Sequence, residues 1–342
     1  MMKSTLGKGL LAGALLACVS TAAMAQDFEL QIQSSDPAGD PNYQLWQGWA
    51  EEVGERTDGR VKINMMSVGS IVDFQETLDA VGAGILDGHV TDTSYFAGKD
   101  PAFGLIGNPT GAWSDPREML KFFNEGGGKE LMNELVEPYG TYFVGASTPG
   151  LEAFVSDVPL DGVDDLDGLK VRAPAGLVQR VFGAAGASPV NLPTSEVFTA
   201  LDKGVVDAAD YSVFHVNQDQ GLHEIARHPV YPGFHSMPLI ELSINRGVWE
   251  SMPEDIQQIF EESVADLAQR QMEAVDAKDA AAIEEAEAQG ATVHDWPAEE
   301  RARFRAIAMG EWEEIATESE NAQKVYDTLT KFLREEGLLG DE

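Results

Sequence analysis

Two hydrophobic periods alternate along this chain, and that alternation narrows the folds open to it more than any other feature. Phe28, Leu30 and Ile32 alternate with polar residues, as on a half-buried strand, and Leu45, Trp46, Trp49 and Val53 then recur at helical spacing. Val61, Ile63 and Met65 return to a period of two, and Phe74, Leu78, Val81 and Ile85 to the helical one. The central part repeats the rhythm. Strands interleaved with helices predict an α/β protein.

Later in the chain the pattern changes. Pro229, Pro232 and Pro238 mark an irregular stretch, a plausible crossing between domains. Pro253 then opens a helix with Ile256, Ile259, Phe260, Val264 and Leu267 on one face. It reads as continuous from Asp255 to Ala288, and two further helices follow around Glu299–Ala316 and Glu320–Glu336. A chain of 342 residues is long enough for two domains. No flexible linker separates them, so the chain is expected to cross between them several times, as in a hinge that closes around a ligand.

The N-terminus reads as an export signal. Lys3 and Lys8 precede an apolar run from Gly9 to Val19, and Ala23-Met24-Ala25 places cleavage after Ala25. That run is shorter than the roughly 20 apolar residues of a membrane span. Leu15-Leu16-Ala17-Cys18 offers a rival reading, a lipidated Cys18. Cys18 is the only cysteine, so cleavage after Ala25 leaves no disulfide even in an oxidising periplasm. The chain carries 58 acidic and 23 basic residues, a net charge of −35. Nucleic acid and anionic lipid, which require basic patches, are poor partners. Any anion site must therefore bring its own positive charge.

Arg172 is the first candidate for that charge. In Leu169-Lys170-Val171-Arg172 the apolar and basic residues take opposite faces, and Pro174 stops the strand. Ligands of open α/β sheets bind beyond the carboxyl ends of strands. A guanidinium there can fork a carboxylate, each charged hydrogen bond being worth roughly 1.5–3 kcal/mol. The alternative is an exposed arginine paired with a nearby acid. Asp210 and Tyr211 end a second strand, after a short helix carrying Val197, Ala200 and Leu201. An acid beside an anion site makes sense only with a cation between them; otherwise it is a loop acid.

Two other stretches invite chemistry they do not support. His223 and His228 stand five residues apart, about 140° around a helix, and not the four that a zinc-protease motif requires. Gly126-Gly127-Gly128-Lys129 lacks the P-loop spacing and reads as a loop entering a helix over Glu130–Val136. No G-x-S-x-G elbow or cysteine pair occurs.

Gly168-Leu169-Lys170-Val171-Arg172, Pro189-Val190-Asn191-Leu192-Pro193, Glu196-Val197-Phe198, Ala200-Leu201 and Gly204-Val205-Val206-Asp207 resemble, in this order, the solute-binding proteins of TRAP transporters, the DctP-type family. Tyr95-Phe96-Ala97-Gly98-Lys99-Asp100-Pro101, Phe122 to Gly128 and Tyr231-Pro232-Gly233 resemble the subgroup that binds 2-oxo and related acids. The resemblance implies a two-lobed, Venus-flytrap fold of the periplasmic-binding-protein type, with crossing strands and a long interdomain helix. Residues 1–25 would be the signal peptide, 26–150 the first part of lobe I and 151–240 the main part of lobe II. Residues 241–342 would supply the crossing strand, the long helix and the C-terminal helices shared between lobes.

It also implies a function: a periplasmic receptor, not an enzyme, that binds a small 2-oxo or 2-hydroxy carboxylate and delivers it to TRAP membrane permease subunits. Arg172 maps to the family's carboxylate-pairing arginine. A metal ion, Ca2+ or Na+, would bridge ligand and protein through Glu152, Asp210 and Tyr211. The subgroup commonly has glutamine at the first of these positions and glutamate-tryptophan at the others. Asn191, Tyr211, His215 and His235 are further candidates for ligand contact, with Asn217 near the same cleft edge. A homodimer through the long helix is a further expectation. The alternatives are a periplasmic sensor subunit for an organic acid and a metal-dependent periplasmic hydrolase or lyase.

Overall fold

In a computed structural model, whose described residues are 27–339, strand β1 (Phe28–Ser34) lies between β2 (Val61–Met66) and β3 (Gly88–Asp92), parallel to both. The signal-peptide reading, the cleavage after Ala25 and Cys18 fall outside the described residues. β4 (Thr141–Ser147) closes this first sheet at its far edge. The chain then leaves to build a second sheet from β5 (Ala153–Ser156), β6 (Lys170–Arg172), β7 (Ser188–Val190) and β8 (Ala208–Ser212), in the order β5-β8-β6-β7. It returns through residues 226–239 to lay β9 (Ile240–Asn245) antiparallel between β3 and β4. Two segments thus run between the sheets, 148–152 outward and 226–239 back. The fold is α/β and two-lobed, as the alternation and the resemblance together imply.

Each sheet is built from the periodicities that announce it. Leu30 and Ile32 of β1 are buried against Trp46, Trp49 and Val53 of the helix Pro41–Arg56. Asp40 caps that helix by accepting from the Asn42 N–H, and Pro41 occupies its first position, where no N–H is required. The helix Glu254–Ala288 runs for 35 residues, about 50 Å. Its first half presses Ile256, Phe260, Val264 and Leu267 on the first sheet, and the Trp49 indole donates to Ser263 Oγ at 2.8 Å. Its second half buries Asp279, Ala282 and Ala286 beside the helix Phe214–Asp219 of the second sheet. One helix therefore packs beside both sheets.

The largest core joins the two sheets. It runs from Phe103, Phe122 and Phe143 on the side of the first sheet to Phe154, Val171 and Ala208 of the second. The C-terminal helices Ala298–Ala316 and Glu320–Glu335 cover it with Phe304, Trp312, Val325 and Phe332. Burying each such side chain stabilises the fold by about 1.5–3 kcal/mol. One expectation fails locally. The helix predicted through Ile85 stops at Gly82, leaving Ile85 59% exposed, and Phe74 sits in a preceding 3-10 turn. A side chain at position 82 would collide with the Tyr139 carbonyl, so the turn of the chain is set by that close approach.

Candidate functional site

Arg172 stands at the carboxyl end of β6, where sequence places it, but it is not a surface arginine. It is 7% exposed, and its guanidinium is braced from inside the lobe. Nε donates to the Leu192 carbonyl at 3.1 Å and Nη1 to the Asp210 carbonyl at 2.6 Å, while Nη1 lies 3.7 Å from Asp210 Oδ1. Nη2 donates to none of the described residues. β6 and β8 run parallel and adjacent, so their carboxyl ends deliver Arg172 and Asp210 to the same edge.

Three further positions come together there. Asp210 is 3% exposed on β8. Glu152 lies on the outward segment between the sheets and His235 on the returning one. The two segments are joined where the Glu152 N–H donates to the Ser236 carbonyl at 3.0 Å. Glu152, Asp210 and His235 each offer a ligand atom within 4.8 Å of the others. The His235 ring is 1% exposed and walled by Phe154, Phe182 and Phe234, with centroid separations of 5.1, 5.7 and 5.3 Å. Burial, and then the neighbouring Asp210, hold the Glu152 carboxyl well above the usual carboxylate range.

The first sheet contributes acids that sequence reading did not single out. Asp92 ends β3, and burial pushes its carboxyl up to about 6, with Glu241 and Asp36 adding to the rise against the Ser94 hydrogen bonds. Asp36 follows β1 and is also raised by burial. Tyr95, 41% exposed, has its phenol raised by burial and by the charges of Asp92, Asp36 and Glu152, which places all four in one electrostatic neighbourhood. Acidic charge from Asp36, Asp92, Glu152 and Asp210 is thus concentrated here, and Arg172 opposes it at Glu152.

Other expected residues lie elsewhere. Tyr211 follows Asp210 on a strand, so its side chain takes the opposite face, packed with Val155, Ala209 and Leu222. His215 pairs with Asp279 of the long helix, Nδ1 to Oδ1 at 2.6 Å, away from the three-residue cluster. Asn217 is fully buried, its amide donating to the Ala153 and Ser212 carbonyls. Asn191 is exposed beyond β7, next to the Leu192 carbonyl that holds Arg172. The histidine pair sets aside in the sequence is separated too. His223 packs on Phe214, and burial lowers it to about 4, whereas His228 meets His294. Gly127 takes a left-handed turn into the helix Gly128–Val136, and Lys129 pairs with Glu261. A groove of about 390 Å3 between the helices Pro116–Glu125 and Glu254–Ala288 contains none of the cluster.

The donors fit a cation. Asp210 Oδ2 and both ring nitrogens of His235 are buried without a hydrogen-bond partner, each a cost of about 1–3 kcal/mol if left so. Two carboxylates and an imidazole converging on one point would hold a divalent ion, which would satisfy these atoms and offset the repulsion between the acids.

Comparison with known proteins identifies the family. The family model for bacterial extracellular solute-binding protein family 7, DctP, matches residues 32–319. A monocarboxylate 2-oxoacid-binding periplasmic protein of Nostoc sp. is 27% identical over 84% of this chain and 79% of its own length. A TRAP periplasmic solute-binding protein of Rhodobacter sphaeroides, solved in an apo open form, is 59% identical with a TM-score of 0.88, covering 92% of this chain and all of that one. A TRAP protein of Colwellia psychrerythraea, solved with bound calcium and pyruvate, aligns at 20% identity and a TM-score of 0.76, over 91% of this chain and 95% of that one; at this identity the likeness is of fold. These matches remove the hydrolase or lyase reading. The chain belongs to bacterial extracellular solute-binding protein family 7, the DctP-type receptors of TRAP transporters, which bind solutes and are not enzymes.

Proposed function

We propose that this receptor captures a small 2-oxo or 2-hydroxy carboxylate through Arg172 and a cation held by Glu152 and Asp210. The observation that carries the reading is the meeting of one buried, internally braced guanidinium with a cluster whose buried Asp210 Oδ2 lacks a hydrogen-bond partner. A carboxylate alone would be repelled by Asp36, Asp92, Glu152 and Asp210. With a divalent ion on the cluster, the ligand's carboxylate can take Arg172 while its adjacent oxygen takes the ion. A 2-oxo or 2-hydroxy acid places those two groups on neighbouring carbons, whereas a simple fatty acid lacks the second.

Glu152 and His235 lie on the two segments between the sheets, so ligand and ion would load the part of the chain that bends when the lobes close. In this reading residues 26–150 and 151–240 are the main parts of the lobes, and 241–342 complete both. The chain acts in the periplasm after cleavage near Ala25 and hands its ligand to TRAP permease subunits.

The melting temperature of the chelator-treated protein, measured against pyruvate, longer 2-oxo acids, lactate and acetate with and without added divalent ion, tests this. A ligand at a hundred times its Kd stabilises by about 2.7 kcal/mol. A rise that requires both a 2-oxo or 2-hydroxy acid and the ion supports the proposal. An equal rise with acetate, or none with any acid, refutes it.

A further inference from the structure

The titratable side chains of the cluster include a nitrogen donor that calcium and sodium do not favour. Hard cations of that kind take oxygen ligands, calcium six to eight of them. Here one of three converging side chains is an imidazole, the donor that suits zinc, iron, nickel and copper. His235 is held for such a role. Its ring is 1% exposed between Phe154, Phe182 and Phe234, so it cannot swing to water. Its backbone is pinned where its carbonyl accepts from the Gly111 N–H at 2.8 Å and the neighbouring Met237 N–H donates to Asn108 at 3.2 Å.

A direct hydrogen bond between His235 and Asp210 would be the plainer account, and the geometry argues against it. Nε2 and Asp210 Oδ2 are 3.4 Å apart, against about 2.7–2.9 Å for a charged N–H···O bond. Neither ring nitrogen, nor Asp210 Oδ2, has a hydrogen-bond partner. Atoms that approach without bonding, inside a 4.8 Å circle completed by Glu152, are spaced for something between them.

We infer that the cation of this receptor is a d-block divalent ion with His235 as its nitrogen ligand beside the carboxylates of Glu152 and Asp210. The inference rests on the metal-bridged reading above and narrows it. Two carboxylates neutralise such an ion, so the charge on Arg172 stays available for the ligand's carboxylate.

The test is metal uptake without organic acid. Chelator-stripped protein is dialysed against Mn2+, Zn2+ or Ca2+ alone and its metal content counted, and the Mn2+ form is read by pulsed EPR for modulation from an imidazole nitrogen. Wild type, His235→Asn and Glu152→Gln are compared, with a melting curve for each. The inference expects one Zn2+ per chain, a nitrogen signal in the Mn2+ form of wild type, and at least about tenfold weaker Zn2+ binding in His235→Asn with calcium affinity unchanged. Should His235→Asn fail to fold, the wild-type nitrogen signal and the loss of affinity in Glu152→Gln still decide. One bound Mn2+ without a nitrogen signal overturns the role of His235 but leaves the metal-bridged receptor standing. No uptake of any of the three ions, with or without pyruvate, overturns both.

Discussion

Replacing Arg172 by lysine separates its two tasks. The guanidinium braces the lobe through Nε to Leu192 O and Nη1 to Asp210 O, at 3.1 and 2.6 Å, and leaves Nη2 for a ligand. Lysine keeps the charge and loses the planar fork. An ammonium has three donors but not the fixed spread of Nε and Nη1, so at least one of the two carbonyls is left buried and unpaired, at about 1–3 kcal/mol of folding stability. The ligand carboxylate would lose its charged bond from Nη2, a loss of about 2 kcal/mol, or roughly thirtyfold in Kd. Calorimetric titration with pyruvate at saturating metal reads the second effect, and urea unfolding without ligand reads the first. If stability falls as stated while Kd stays within about threefold of wild type, Arg172 is a brace only and the carboxylate is held elsewhere.

Two more outcomes follow from the same geometry. Asp92 titrates at about 6 in the fold against an ordinary 3.8, so the folded chain holds the extra proton and its stability falls as pH rises between those values. Asp92→Asn should flatten urea-derived stability across that window and raise it near neutral pH by up to about 3 kcal/mol in metal-free protein; an unchanged slope would show that another group titrates there. A side chain at Gly233 would overlap the Glu152 carbonyl oxygen, so Gly233→Ala should force apart the two segments that run between the sheets. Binding and melting temperature should drop together in that variant, and wild-type values of both would show that the segments have slack.

How much of this was legible in the sequence depends on the kind of residue. The α/β alternation and the long helix were plain because burial imposes period on sequence. Arg172 was legible from its position after an apolar residue and before a proline at a strand end. The same rule would have found Asp92 and Asp36, which end or follow β3 and β1, but neither carries a basic or motif signal against so many acids. Tyr211 was paired with Asp210 by the resemblance, whereas strand geometry alone turns adjacent side chains to opposite faces. Glu152 and His235 are 83 positions apart in sequence, and no local period shows that their segments touch. His215 looked like a cleft residue, and its Asp279 partner lies on a helix 64 residues away.

The most direct measurement is a crystal structure of the chain from residue 26 onward grown with pyruvate and Mn2+, with anomalous data collected to place the metal. The account predicts the metal peak among Glu152, Asp210 and His235, the pyruvate carboxylate on Arg172, and the keto oxygen on the metal. Pyruvate bound away from Arg172, or bound at Arg172 with no metal peak on the cluster, would contradict it.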